Sequence, residues 1–355
     1  MGDLTSLADS IRQDDFLQPI GVTEKLELVL GKTSSLAVHQ YLLGILKTMP
    51  NPLVQPLFDG PVDIIGDVHG EIDALLSVMH HLGYDDDGTH SDHRRLVFVG
   101  DLTDRGPDSP AVVHLVQSLV KTGRAQCVLG NHDLNILLGH EKHDNHWFFD
   151  KNSSLDGSDE PTPAVLADDN IRQRVLDFFG SLPLVLERDG LRVVHACWDD
   201  AMVEMARRAD DVKSLHDEHV RILNARHRDS QLDKIDQGLE HQNLNPVKVL
   251  ASGKERRVET PFESSGKLRY EERVPWWEDY TGHPRCVFGH YSNYRGETSL
   301  SSRAICVDFA VAKRWQERKQ PSFDGTFRGC LAAVRFPENC VVFDNGDIEP
   351  FERIE

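Results

Sequence analysis

The 355-residue sequence has no apolar run of membrane-spanning length, which argues against a helical membrane protein. It also lacks a surplus of basic residues: 58 Asp and Glu stand against 39 Lys and Arg, a formal net charge of -19. General affinity for a nucleic-acid backbone or an anionic membrane needs clustered cations, so neither partner is expected. The six cysteines (Cys127, Cys197, Cys286, Cys306, Cys330, Cys340) lie singly in apolar runs without CxxC spacing. That pattern points to buried free thiols in a reducing compartment. The first residues, MGDLTSLADSIRQDD, carry neither a basic region nor an apolar stretch of the secretory kind, and a cytoplasmic location is expected. No fixed-period repeat is visible. What is present is apolar mass, 39% hydrophobic residues, enough for one large α/β domain or two modest ones.

Residues 1–58 read as a helical N-terminal extension, with Ser34 or Ser35 capping a helix through Leu36, Leu42, Leu43 and Leu46. A catalytic domain over 59–355 follows. VDIIG is a short buried strand, and EIDALLSVMHHLG places Ile72, Leu75, Leu76, Met79 and Leu82 at helical spacing. LVFVG and SPAVVHLVQSLV repeat the unit, with Ser109 expected as N-cap and Pro110 in the first turn. QCVLG and NHDLNILLG make a third. Asp85, Asp86, Asp87 and Gly88 read as a solvated turn, because the rest of a calcium-loop pattern is missing. Two insertions interrupt the pattern: 141–170, around an aromatic knot at Trp147, Phe148 and Phe149, and 199–280, whose first half suggests a solvated helix pair. After 286 only short strands remain. Helical units followed by a strand-only tail predict an α/β (α+β) fold, a two-sheet β-sandwich flanked by helices.

Five strand ends present metal-ligand chemistry in order: GDVHG, GDLTDRG, GNHD, VVHA and FGHY. Asp67 and His69 project to one side of the first turn and make half a metal site. Asp101 follows the second strand and can bridge to a second cation, for which Asn131, His195 and His290 complete the donors. Oxygen and nitrogen donors without thiolate suit manganese, with iron or zinc as alternatives. Two such ions stabilise the attacking and leaving oxygens of an in-line phosphoryl displacement by a bridging hydroxide. His132, next to Asn131, is placed to protonate the leaving oxygen, Asp104 to orient His132, and Arg105 to fork onto phosphate oxygens, with Asn131 also counted as substrate-binding. Direct hydrolysis without a phosphoenzyme is expected.

These motifs resemble the calcineurin-like metallophosphoesterases, specifically the phosphoprotein phosphatase superfamily and its bacterial relatives. The resemblance covers roughly residues 60–345. It implies a two-sheet sandwich with a two-metal centre, in which Asp67, His69 and Asp101 hold one ion and Asp101, Asn131, His195 and His290 the other. His132, Asp104 and Arg105 would then serve the substrate. GNHD in place of GNHE, and HACWD in place of HGG, depart from the eukaryotic protein phosphatases. Together with FGHYS, CVDFA and FRGCLAAVRFP they are similar to the symmetrical diadenosine tetraphosphatases. The implied substrate is a dinucleoside polyphosphate or related nucleotide, with a serine/threonine phosphoprotein as the alternative. A catalytically silent scaffold and a nucleic-acid-end phosphatase rank lower. The family's second phosphate-binding arginine has five candidates here, Lys254, Arg256, Arg257, Arg269 and Arg273. Trp276 and Trp277 are open between core packing and base stacking.

Overall fold

The structure, a computed structural model, describes residues 52–142, 144–149, 164–264, 267–296 and 303–351. The helix expected after Ser34 or Ser35 lies outside the described residues. Strand β1 (Val54–Pro56) pairs in parallel with Val185–Arg188, so a strand of the main sheet already falls inside the segment read as an extension.

The repeated units form as their periodicity predicts. Strand β2 (Val62–Ile65) leads to helix α1 (Ile72–Leu82), which buries Leu75, Val78, Met79 and Leu82 and ends on Gly83 in the left-handed conformation. β3 (Arg95–Phe98) leads to α2 (Ser109–Lys121). The N-cap of α2 is Asp108, whose carboxylate accepts from Ala111 N, and not Ser109 as expected. The Ser109 hydroxyl instead accepts from Asp104 N at 2.9 Å and fastens a loop of the site. β4 (Ala125–Cys127), α3 (Asn131–Leu137), α4 (His146–Phe149) and α5 (Asp169–Ser181) follow, then the hairpin of β5 (Val185–Arg188) and β6 (Leu191–Val194). The aromatic knot is real: Trp147 and Phe148 of α4 are buried.

The second insertion is more than a solvated helix pair. It holds α6 (Asp200–Arg207), α7 (Val212–His227), α8 (Lys234–Asn243), α9 (Pro246–Ser252) and a hairpin of β7 (Glu255–Ser264) and β8 (Lys267–Arg273). Of these four helices α8 alone buries nothing, whereas α9 buries Val247, Val249, Leu250 and Ala251. Charge density obscured α6 and α7, whose short apolar stripes lie among many charged positions. The chain ends in β9 (Arg285–Phe288), β10 (Ala304–Cys306), α10 (Arg314–Glu317), β11 (Ala332–Phe336), β12 (Cys340–Phe343) and β13 (Ile348–Pro350).

The strands make a five-stranded sheet, β1-β5-β6-β9-β10, and a six-stranded sheet, β13-β12-β11-β2-β3-β4. Alternation sorts their side chains. Val62 and Ile64, Val97, Leu191 and Val193, Val287 and Ile305 fill the space between the sheets. Ile65, Phe98, Val194 and Phe288 point outward, where the helices cover them. Strands β2, β3 and β4 run parallel in one sheet and β6, β9 and β10 in the other.

Candidate active site

Parallel pairing brings the C-terminal ends of β2, β3 and β4 together, and backbone bonds hold their loops in one place. Val68 N and His69 N donate to Asp101 O at 3.0 and 2.9 Å, Gly70 N to Leu102 O at 2.9 Å, and Gly289 N to His195 O at 2.8 Å. Five residues of these loops sit in the left-handed region: His69 (φ 48°), Asp101 (50°), Asp104 (74°), Arg105 (67°) and His290 (67°). Each costs about 1–2 kcal/mol for a residue with a Cβ, and the surrounding bonds hold it there. Two glycines are obligatory by contact. A Cβ at Gly130 would strike the Asp101 backbone and carboxylate, and one at Gly289 would strike the Asp67 carboxylate.

The six residues expected as metal ligands converge. His69 Nε2 lies 3.9 Å from Asp67 Oδ2 and 3.7 Å from Asp101 Oδ2, and His195 Nε2 lies 3.4 Å from the same Asp101 oxygen. His290 Nδ1 is 2.6 Å and His195 Nε2 3.2 Å from Asn131 Oδ1. The far nitrogens are tied off: His69 Nδ1 to Thr103 O at 3.0 Å, and His195 Nδ1 to Val99 O at 2.7 Å. Each Nδ1–H therefore donates to a carbonyl and each Nε2 lone pair faces the centre. Asp101 Oδ1 accepts from His132 N at 2.8 Å, leaving Oδ2 between the two histidines. Donor atoms 3.4–3.9 Å apart are close enough that they could share a cation.

Asn131 tests the fit. With Oδ1 toward His195 and His290, its lone pair joins theirs, as a cation requires. Turned over, its NH2 would donate to Asp101 Oδ2, His290 Nδ1 and His195 Nε2 at 3.3, 2.6 and 3.2 Å, which satisfies the histidines without a cation. The charge balance favours the first orientation. Asp67, Asp101 and Asp308 are at most 2% exposed and lie close enough to perturb one another. Burial and the neighbouring Asp308 push the Asp67 carboxyl well above its ordinary range. Burial works against His195 too, yet the Asp101 carboxylate beside it raises that imidazole to about 10. Buried carboxylates that outnumber their cations are a place for metal.

The substrate-side residues also meet. His132 Nδ1 is 2.7 Å from Asp104 Oδ2, both buried. Burial and Arg105 lower the His132 pKa, but Asp101 and Asp104 outweigh them and the net shift is upward. The Arg105 side chain stays 31% exposed, with Nε donating to Asp144 Oδ2 at 2.8 Å. The tightest donor groups are His69, Asp101 and His132, and Asp101, His195 and His290. Asp67 flanks the first.

Of the five basic candidates, Lys254 pairs with Asp199, Arg256 with Glu272, and Arg257 with Asp233 and Asp236. Arg269 is exposed on β8 opposite Phe262. Only Arg273 among them reaches the centre, where Nη1 donates to His290 O at 3.1 Å. Trp276 is core: its Nε1 donates to Ala196 O at 2.8 Å, and Trp277 stacks on Phe288.

Four residues escaped the sequence reading. Asp308 follows β10 in CVDFA, the same apolar-strand-then-Asp grammar as the five motifs, and could have been found by it. Asp133 explains GNHD: its carboxylate accepts from Leu102 N and Thr103 Oγ1 at 3.1 Å and from Gly130 N at 3.3 Å, clasping two site loops. Asp144 and Trp147 lie in an insertion whose pattern carries no such signal.

The sequence profile described as calcineurin-like phosphoesterase matches residues 60–323. The chain belongs to the calcineurin-like phosphoesterase family. That family implies a binuclear divalent metal centre, and the donor set above fits one. The phosphoesterase chain is 35% identical over 145 residues to the bis(5'-nucleosyl)-tetraphosphatase PrpE [asymmetrical] of Oceanobacillus iheyensis, covering 38% of this chain and 54% of that one. It is 52% identical over 73 residues to the protein of the same name from Halalkalibacterium halodurans, covering 20% of this chain and 30% of that one. The matched stretches thus span about half or less of these relatives' own length. Their names specify the asymmetrical reaction, where the motif resemblance was to symmetrical enzymes. Among solved structures, the cold-active protein-tyrosine phosphatase of a Shewanella species aligns over 86% of this chain and 83% of that one, at 17% identity and a TM-score of 0.49. No helix of the described residues is long and apolar enough to cross a membrane.

Proposed function

We propose that this phosphoesterase hydrolyses the phosphoric anhydride of dinucleoside polyphosphates by direct attack of water, without a phosphoenzyme. The observation that carries the reading is Asp101 Oδ2, one carboxylate oxygen lying between two histidine-bearing donor groups. Asp67, His69 and Asp101 would hold one ion and Asp101, Asn131, His195 and His290 the other, manganese ahead of iron or zinc by donor type. His132 is kept for the proton transfer, since its Nδ1 partner is the carboxylate of Asp104 and not a carbonyl, whereas Asp67 is a buried carboxylate in need of counter-charge. When bound, such a pair of ions supplies Lewis acidity and a water ionised near neutral pH.

The remaining work falls to the chain. Arg105 turns its two Nη nitrogens to the non-bridging oxygens of the scissile phosphate, and Arg273 is the second cation for the substrate. Asp104 keeps Nδ1 of His132 protonated, so that Nε2 delivers a proton to the departing oxygen. The relatives' names favour asymmetrical products, a nucleoside monophosphate and a nucleoside triphosphate. The test is kcat/KM of the manganese-loaded protein on diadenosine tetraphosphate and on a phosphoserine peptide, with the nucleotide products identified. A large preference for the dinucleotide supports the reading. A preference for the peptide overturns it in favour of a phosphoprotein phosphatase, and no turnover of either with metal bound overturns hydrolysis itself.

A further inference from the structure

We infer that segment 144–147 of the first insertion is a brace that sets both the acid and the phosphate clamp, with Trp147 and Asp144 as positioning residues for Asp104 and Arg105. The inference rests on the roles proposed above for His132 and Arg105.

The Asp104 carboxylate has two oxygens, and both are engaged. Oδ2 meets His132 Nδ1 and Oδ1 accepts from Trp147 Nε1, each at 2.7 Å. With Asp104 N held by the Ser109 hydroxyl, the carboxylate can neither rotate nor slide. The direction of the His132 ring is fixed in turn. An indole N–H suits this post, because it donates only and cannot take the proton that the His132–Asp104 pair needs. Packing alone does not account for the contact. A buried tryptophan needs some acceptor for its N–H, but a backbone carbonyl would serve, as Ala196 O does for Trp276.

Asp144 does the corresponding job one residue along. It takes the Nε of Arg105 and leaves the two Nη nitrogens to present a fork to phosphate. The brace is itself anchored on both sides. Asn145 accepts from Lys142 N at 2.8 Å and donates to His140 O at 3.0 Å, Ala167 N donates to Trp147 O at 2.8 Å, and Arg172 Nε donates to Phe148 O at 2.6 Å. Two consecutive substrate-side residues are therefore held by two residues three apart on one short, pinned segment.

The test compares Trp147→Phe, Asp144→Asn and His132→Asn on manganese-loaded protein, with metal content and Tm measured for each. The substrates are an alkyl phosphate, whose leaving oxygen needs a proton, and p-nitrophenyl phosphate, whose leaving oxygen does not. Trp147→Phe keeps an aromatic, though smaller, ring and deletes the donor; kcat should fall about tenfold or more on the alkyl ester and less than about threefold on the aryl ester, with KM and metal content unchanged. Asp144→Asn should raise KM several-fold on both substrates alike and leave the leaving-group ratio untouched. Equal losses for Trp147→Phe on both esters while His132→Asn shows a strong leaving-group bias would overturn the Trp147 role and leave the acid intact. Absence of that bias in His132→Asn would instead sink the acid assignment. If Trp147→Phe does not fold, the Asp144→Asn variant decides: an unchanged KM overturns the brace.

Discussion

Two carboxylates four residues apart on the same strand and its turn, Asp63 and Asp67, are 0% and 2% exposed, and they live in opposite electrostatic worlds. Asp63, in β2, receives Arg94 through both Nη2 and Nε at 2.7 and 2.8 Å, Arg335 Nε at 2.8 Å, and the Tyr84 hydroxyl at 2.8 Å. Burial pushes its pKa up, but the two guanidinium groups outweigh burial and hold it below the ordinary range. Asp67, beyond the other end of β2, accepts only the backbone N–H of His290 among the described residues, and faces Asp101 and Asp308. The end with Asp63 is neutralised by the protein itself, as a structural ion cluster must be. The end with Asp67 is short of positive charge. The difference supports the metal centre proposed at the Asp67 end, without reference to any motif.

The largest effect expected from this contrast is on turnover. Asp101→Asn removes the oxygen shared by both donor groups and should cost about 10³-fold or more in kcat, while Asp104→Asn, which only orients His132, should cost about 10–10²-fold. Near wild-type turnover in Asp101→Asn with two metals bound would refute the shared-ligand geometry. Next in size is a double dissociation in stability. Asp63→Asn strands the buried Arg94 and the half-buried Arg335 and should lower unfolding free energy in urea by about 3–5 kcal/mol, metal or not. Asp67→Asn relieves carboxylate crowding, so the metal-free protein should be no less stable, and the rise in Tm on adding manganese should shrink or vanish. If the two variants behaved alike, the two ends would not differ in kind.

The contrast also shows what a sequence discloses. Strand ends were legible because a buried apolar run that stops at Asp, His or Asn has few structural excuses; hence Asp67, His69, Asp101, Asn131, His195 and His290 were all read before their convergence was seen. The two-sheet architecture was legible in helical units followed by a strand-only tail, and alternation realises it by sending Val62 and Ile64 inward and Ile65 outward. Asp63 was not legible: its partners Arg94 and Arg335 lie 31 and 272 residues away. Trp147 and Asp144 were hidden for the same reason, their contacts with Asp104 and Arg105 spanning 43 and 39 residues of chain. The helices of the second insertion were obscured by composition: α8 buries nothing at all, and its stability comes from Asp233 capping Ile235 N and Asp236 N.

The smallest expected effect is the pH dependence of the Asp63 cluster. A carboxylate whose folded pKa lies below its unfolded value contributes stability in full above the unfolded value, near 3.9. As pH falls through the lower folded pKa the carboxylate is protonated, its two arginines lose their partner, and the contribution disappears. Wild type and Asp63→Asn should therefore differ by a constant amount from about pH 7 down to about pH 4, and converge as the acid limb is descended further. Urea unfolding of the metal-free pair at fixed ionic strength reads this directly, since Asp67 and the other site carboxylates are common to both proteins and drop out of the difference. A gap that widened as the pH fell from 7 to 5 would mean that the folded carboxyl takes up its proton above its ordinary range, so that Arg94 and Arg335 do not hold it down. The charge contrast between the two ends of β2 would then rest on distances alone.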